Sequence, residues 1–312
     1  MKVSVCMLTY NHEKFIAQAI DSVLMQKVKF DYELVIGDDC STDRTRDILI
    51  QYKKQNPDCI NLYLWEKNLG AIHNFLQILS VCKGEYIAIL EGDDYWTSSE
   101  KLQKQVDFMD THSECSICFH KVIGFYDNNP QKEEYFIPPK KIKQFLTLED
   151  LLKENFIPTL SIMYREINIP IVPENLTRSW LFDWPFNIII AKTGKIGYLN
   201  EVLGKYRRHE NSLCSKTGVI PCYLGIVDML IFINHYFDNK YDCIIKSTIS
   251  KQYYDLSIIY LNEHDICTAK KYFIKSLNTK IFNTQISKIS IIWLFIRIYV
   301  IYLFQERYSI NK

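Results

Sequence analysis

The stretch "GEYIAILEGDDYW", Gly84 to Trp96, runs an apolar segment, Tyr86-Ile87-Ala88-Ile89-Leu90, straight into three carboxylates, Glu91, Asp93 and Asp94. A short apolar run bounded by Gly reads as a buried strand. Working outward, strand patterns at Val3–Leu8, Tyr32–Ile36 and Ile60–Trp65 alternate with helical patterns at His12–Gln26, Thr42–Gln55 and Gly70–Cys82, the second of these with Ser41 or Thr42 as N-cap. This βαβαβαβ order predicts an α/β fold with a mostly parallel sheet between helices. Ligands of such sheets sit beyond the carboxyl ends of the strands. The polar clusters fall there: Thr9-Tyr10-Asn11, Asp38-Asp39 and Glu91 to Asp94.

Why three acids should crowd one strand end has two answers. "TSSEKLQKQ" offers a capping box, Thr97-x-x-Glu100, and Asp is common in turns. That accounts for Thr97 to Glu100 but not for the acids before them. Packed carboxylates raise one another's pKa unless a cation sits among them, and oxygen donors in this number suit Mg²⁺ or Mn²⁺. An ion bound through one or two carboxylates and completed by substrate phosphates resolves the repulsion.

The 312 residues carry a net charge of +1, with no basic stripe interleaved with aromatics, so nucleic acid is not the expected partner. The N-terminus enters a strand pattern directly, unlike a signal peptide. The ten cysteines are scattered, so they read as reduced thiols of a cytoplasmic protein. Cys115 and Cys118 form one CxxC near His120; without a second pair they read as buried strand cysteines rather than zinc ligands.

Five segments in order, "VSVCMLTYNHEKFIAQAIDSVLMQ", "YELVIGDDCSTDRT", "NLGAIHNF", "GEYIAILEGDDYW" and "EKLQKQVDFM", together resemble the inverting family 2 glycosyltransferases of GT-A fold that build bacterial surface polysaccharides. The resemblance spans about Val3 to Ser215. It implies a GT-A domain over residues 1–215, a nucleoside-diphosphate sugar donor, and a saccharide or lipid-linked acceptor. Tyr10, flanked by Thr9 and Asn11, matches the position packing on the nucleotide base, and Asp39 the carboxylate bonding the base's imide. Asp93 would contact ribose or metal, and Asp94 would bind the ion bridging the diphosphate. Glu91 stands where Asp is commoner, and Cys40 where Gly is more usual.

Downstream, "SWLFDWPFNIIIAKTGKIGYLNEVLGKYRRHENS" resembles the segment in which an Asp before a helix deprotonates the acceptor. The match is Asp183, which also fits an N-cap for Trp184 to Ala191. Trp180, Phe182, Trp184 and Phe186 would desolvate that carboxylate and raise its pKa; they fit a sugar-binding face and an ordinary core equally. In "YRRHENS", His209 would complete the metal shell or touch phosphate, and Arg207 and Arg208 offer charge to the leaving group; a solvated basic turn is the plain alternative. A silent nucleotide-sugar or carbohydrate-binding protein of the same fold would keep Asp39 and Asp94 but lack a base. A nucleotidyltransferase would want a glycine-rich basic loop after the first strand, which "TYNHEKF" lacks.

Residues 216–312 read as an all-helical region. Helical patterns cover Tyr223–Tyr236, Cys243–Leu261 and Ile266–Leu277, and "DICTAKKYFIKSL" has the spacing of one tetratricopeptide-like helix. "ISKISIIWLFIRIYVIYLFQERY" is apolar on most faces but interrupted by Arg297, short for a spanning helix. Trp293, Tyr299 and Tyr302, with Lys288 and Arg307 at the flanks, suit peripheral contact with the inner face of the cell membrane. A buried or homo-oligomer-forming helix is the other reading.

Overall fold

The computed structural model describes residues 1–129, 131–139, 142–166, 182–210, 218–279 and 285–310, without the side chains beyond residue 300. Two compact units result: residues 1–151 with 155–212, and residues 152–154 with 213–312.

The first unit begins with β1 (Val3–Thr9), α1 (Ile16–Leu24), β2 (Tyr32–Asp38), α2 (Thr45–Gln55), β3 (Ile60–Leu64), α3 (Ala71–Val81) and β4 (Tyr86–Glu91). The four strands lie in parallel order β3-β2-β1-β4. Val3, Val5, Met7, Leu34, Ile36, Ala88 and Leu90 are buried in one apolar core, as the near-continuous apolar strands require. Beyond β4 the sheet becomes mixed. β9 (Met163–Arg165) runs antiparallel to both β4 and β6 (Cys115–Tyr126), β10 (Lys195–Arg208) runs parallel to β6, and β5 (Tyr95–Trp96) closes that edge antiparallel to β10. The short strands β7 (Tyr135–Ile137) and β8 (Phe145–Leu146) pair with β6 and β10. Helices α4 (Lys101–Thr111), α5 (Leu148–Lys153) and α6 (Asp183–Ala191) and a short 3-10 turn at Thr159–Ser161 are the remaining elements before residue 212.

Helix starts in the first part of the chain differ from the sequence reading where distant groups compete for the backbone. α1 begins at Ile16 rather than His12, because the amides of Asn11, His12 and Glu13 donate instead to Ser41 Oγ, Thr45 Oγ1 and Asp43 Oδ2. α2 begins at Thr45, and neither Ser41 nor Thr42 caps it: their amides donate to Asp38 and Asn11. The Thr97–Glu100 capping box does not form. α4 starts at Lys101, Thr97 N–H donates to the Leu203 carbonyl, and Ser98 Oγ receives the Glu100 N–H.

Cys115 and Cys118 lie buried in β6, where burial pushes their thiols up to about 11 and about 12. His120 is buried beside them, and burial lowers it to about 3.

The second unit contains α7 (Val219–Tyr236), α8 (Asp242–Asn262), α9 (Ile266–Thr279) and α10 (Lys288–Ile310). Its core gathers Tyr254, Leu261, Phe273, Leu294 and Ile298. Ser250 and Ser276 exchange hydrogen bonds with each other's carbonyls, and Ser257 Oγ donates to the Ala269 carbonyl. Short side chains thus satisfy polar groups where α8 meets α9. Among the described residues α7 is the one helix long and apolar enough to cross a membrane, by length and composition; Val227, Leu230 and Ile233 on it are buried inside the protein.

Candidate active site

The carboxyl ends of β1, β2 and β4 are stitched together by backbone. Asp39 N–H donates to the Thr9 carbonyl, and Gly92 N–H to the Leu8 carbonyl. A Cβ at Gly92 would lie 2.9 Å from the Thr9 side chain and 3.0 Å from His12 Nδ1. Glycine there lets the acidic loop close onto the end of β1.

On the β1–β2 side, Thr9 is buried, and its Oγ1 lies 3.3 Å from His12 Nδ1. Tyr10 is 44% exposed, a free ring at the lip. Asn11 stands in the left-handed region at φ 56°, and its Oδ1 accepts the Thr42 N–H. Cys40 also has a positive φ, 62°, which explains why Gly would suit that position. Asp39 is buried; its Oδ1 accepts the Leu69 N–H at 2.6 Å, and its carbonyl accepts from Asn68. The "NLG" segment therefore holds Asp39 in place. Asp38 turns inward, accepting from the Ser41 amide and from Arg46 Nε at 2.6 Å.

On the β4 side the acids separate into roles. Asp93 Oδ2 lies 2.9 Å from His209 Nε2 and 3.8 Å from His12 Nε2. Burial raises this carboxyl, but the His209 hydrogen bond and the two imidazoles outweigh it and hold it below its usual value. Asp94 is only 2% exposed; Oδ1 accepts the Arg207 N–H at 2.7 Å, and Oδ2 is buried with no protein partner. Burial, then the charges of Asp93 and Glu91, push it well up. The sequence reading gave the ion to Asp94 with Asp93 and His209; of the two aspartates it is Asp93 whose carboxylate faces the imidazoles. Glu91 is pushed to about 8, first by burial and then by Asp93 and Asp183, so these acids share one field.

Asp183 is the first residue of α6 rather than its N-cap, which is Phe182. Its Oδ2 accepts from Asn155 Nδ2 at 3.1 Å. Burial raises its pKa against the opposing bonds from the Trp184 N–H and Asn155. Trp184 and Phe186 are core residues, and Phe182 stacks on Phe186 at 5.2 Å. Trp184 and Phe186 therefore belong to the core around this carboxylate, while Phe182 is part-exposed. Trp180 lies outside the described residues, as do Asn211 and Ser212 of "YRRHENS".

Arg207 departs from its sequence reading. Its guanidinium donates to the Asp93 carbonyl, Gln18 and Asp127 and packs 4.6 Å from the Phe15 ring. It is a strut under the acidic loop, not an open phosphate ligand. Arg208 is exposed and bonds Tyr126. Sequence reasoning missed His12, taken as the start of a helix, and Asn155, for which no local signal exists.

The family model described as glycosyl transferase family 2 matches residues 4–170. The chain belongs to glycosyltransferase family 2. It is 36% identical to an uncharacterised protein of Mycobacterium tuberculosis (strain ATCC 25618 / H37Rv) over 68% of this chain and 60% of that relative's length. It is also 36% identical to the putative teichuronic acid biosynthesis glycosyltransferase TuaG of Bacillus subtilis (strain 168), over 68% of this chain and 81% of TuaG. Among solved structures, S. aureus TarS 1-349 in complex with UDP-GlcNAc superposes with a TM-score of 0.62 at 20% identity, covering 88% of this chain and 81% of that one. This likeness shows that the family 2 chain has the GT-A fold.

Among the described residues no three His, Cys, Asp or Glu side chains form a ready-made metal cage. Asp93 lies hydrogen-bonded to His209, and its carboxylate is the oxygen donor that suits Mn²⁺ or Mg²⁺ completing its shell on phosphate.

Proposed function

We propose that this family 2 enzyme transfers a sugar from a nucleoside-diphosphate sugar to a hydroxyl of a saccharide or lipid-linked acceptor in surface-polysaccharide synthesis, inverting the anomeric centre. One observation carries the reading: backbone hydrogen bonds from Asp39 to Thr9 and from Gly92 to Leu8 join the ends of three strands, setting Asp39 and the Asp93–His209 pair around one strand-end site. The nucleotide-sugar complex of TarS and the teichuronic acid role in TuaG's name support the donor class and the pathway type.

In this reading Tyr10 packs on the base, Asp39 accepts its imide N–H, and Thr9 and Asn11 shape the pocket. Asp93 and His209 would hold Mg²⁺ or Mn²⁺, which when bound neutralises diphosphate charge; Asp94 supports the loop from beneath. Asp183, desolvated by its aromatic neighbours, accepts the proton of the acceptor hydroxyl. The new bond forms on the face of the anomeric carbon opposite the departing nucleoside diphosphate, so configuration inverts. Glu91, electrostatically joined to Asp183, borders the reacting centre. Placement in the cytoplasm follows from where nucleotide sugars are made.

The test is a panel of nucleotide sugars with Mn²⁺ or Mg²⁺, read by thermal unfolding and by release of nucleoside diphosphate. A donor at about a hundred times its Kd adds roughly 2.7 kcal/mol to stability. Stabilisation with release supports transfer. Stabilisation without release, even with diverse acceptors, identifies a silent binding protein, and a panel with no effect removes the reading.

A further inference from the structure

The cationic end of the chain carries an apolar face that the protein leaves uncovered. In α10, Leu294 and Ile298 are fully buried against the helical core, while Ile289, Ile292, Trp293, Ile296 and Val300 are 44 to 80% exposed. At about 100° per residue these five fall within roughly a 100° arc on the side away from Leu294 and Ile298. Lys288 and Arg297 stand at the two borders of that arc, and the Arg297 guanidinium lies 4.5 Å from the Trp293 ring. Packed on one side and apolar on the other, α10 has its second face available to a partner.

Charge selects the partner. Residues 266–312 hold eight Lys and Arg against one acid, Glu306, a net +7, so the remainder of the chain, at −6, is acidic. A second copy laid on the same face would bring two strongly positive surfaces together. A nucleic acid would answer the charge but leave Ile289, Ile292 and Val300 wet. A bilayer rich in anionic lipid satisfies both: acyl chains receive the apolar arc, and headgroup phosphates receive the lysines and arginines. Trp293, an amphipathic ring beside a guanidinium, suits the headgroup level.

We infer that α10, with the basic residues of α9, docks the protein on an anionic membrane surface, lying in the interface plane with Ile289, Ile292, Trp293, Ile296 and Val300 inserted. Because Leu294 and Ile298 remain packed on the protein, the helix lies on the membrane without crossing it. This rests on the helical unit alone and is independent of the reaction proposed above.

The test is flotation of the full chain with vesicles of phosphatidylcholine alone and with roughly a third phosphatidylglycerol. The expected result is recovery with the anionic vesicles only, falling with salt and weakened about fivefold for each charge removed in Lys270→Gln and Lys271→Gln. Ile292→Asp with Ile296→Asp, both at exposed positions, should abolish flotation while circular dichroism and thermal unfolding remain as in the parent. Light scattering provides the second readout. No recovery with anionic vesicles, equal recovery with neutral ones, or a dimer that the same substitutions split would overturn the inference.

Discussion

Asp38-Asp39 after β2 and Asp93-Asp94 after β4 are the same pair of acids at the ends of two strands that flank β1, and the fold treats them differently. In each pair one acid turns inward and keeps a buried oxygen with no protein partner, Asp38 Oδ1 and Asp94 Oδ2. The other faces the site. Asp38 is answered by the Arg46 guanidinium, whereas Asp94 receives only the backbone N–H of Arg207, whose guanidinium is committed elsewhere. The first pair is compensated within the protein. In the second, burial first and then the charges of Asp93 and Asp183 push Glu91 to about 8. In the proposed reading the side around Asp39 is complete, and the side around Asp93 stays unfinished until a cation arrives with the substrate.

The largest expected effect tests whether the unfinished side is where chemistry occurs. Asp183→Asn should leave donor affinity unchanged and lower transfer by about 100-fold or more, since the amide keeps the shape but accepts no proton. Burial raises the Asp183 carboxyl, and the base must be unprotonated, so wild-type transfer should fall on the acid side at a pH above the ordinary carboxylate range. Transfer by the variant at near wild-type rate would move the search to Glu91.

A smaller effect separates the two acids of the second pair. Calorimetry of nucleoside diphosphate with and without chelator should show affinity lowered about tenfold or more in Asp93→Asn, with the chelator response lost. Asp94→Asn should keep that response; its loss there would return the ion to Asp94.

The smallest effect compares the two inward-facing acids by urea unfolding. Asp38→Asn removes the negative charge that answers the Arg46 guanidinium and should cost about 1–2 kcal/mol. Asp94→Asn should cost less than about 1 kcal/mol, because an amide oxygen still accepts the Arg207 N–H and a repelled charge is removed. Equal costs would mean that the pairs are compensated alike.

Much of this was legible in the chain itself. The alternation of apolar strands with amphipathic helices fixed the βαβ order, because burial on both sheet faces demands it, and polar residues clustered at strand ends marked the site. Asp183 could be named because its motif is local. Composition alone could not say that Asp38 and Asp94 are the acids left with a buried, unpartnered oxygen, since adjacent residues have identical chemistry and only the backbone path of the loop turns one inward. Nor was the strut role of Arg207, which depends on Gln18 and Asp127 coming from distant segments. Asn155 lies 28 residues before Asp183 and meets it only through the fold.

The sequence by itself determined the family, the order of the first seven elements and the set of candidate acids, because hydrophobic periodicity and local motifs are properties of neighbouring residues. Tertiary structure alone decided the helix starts, the division of labour within each acid pair, and which face of α10 stays uncovered. Those outcomes depend on which distant group reaches a hydrogen bond or a packing surface first. Such competition is settled by position in space, which the order of residues along the chain encodes only through the whole fold.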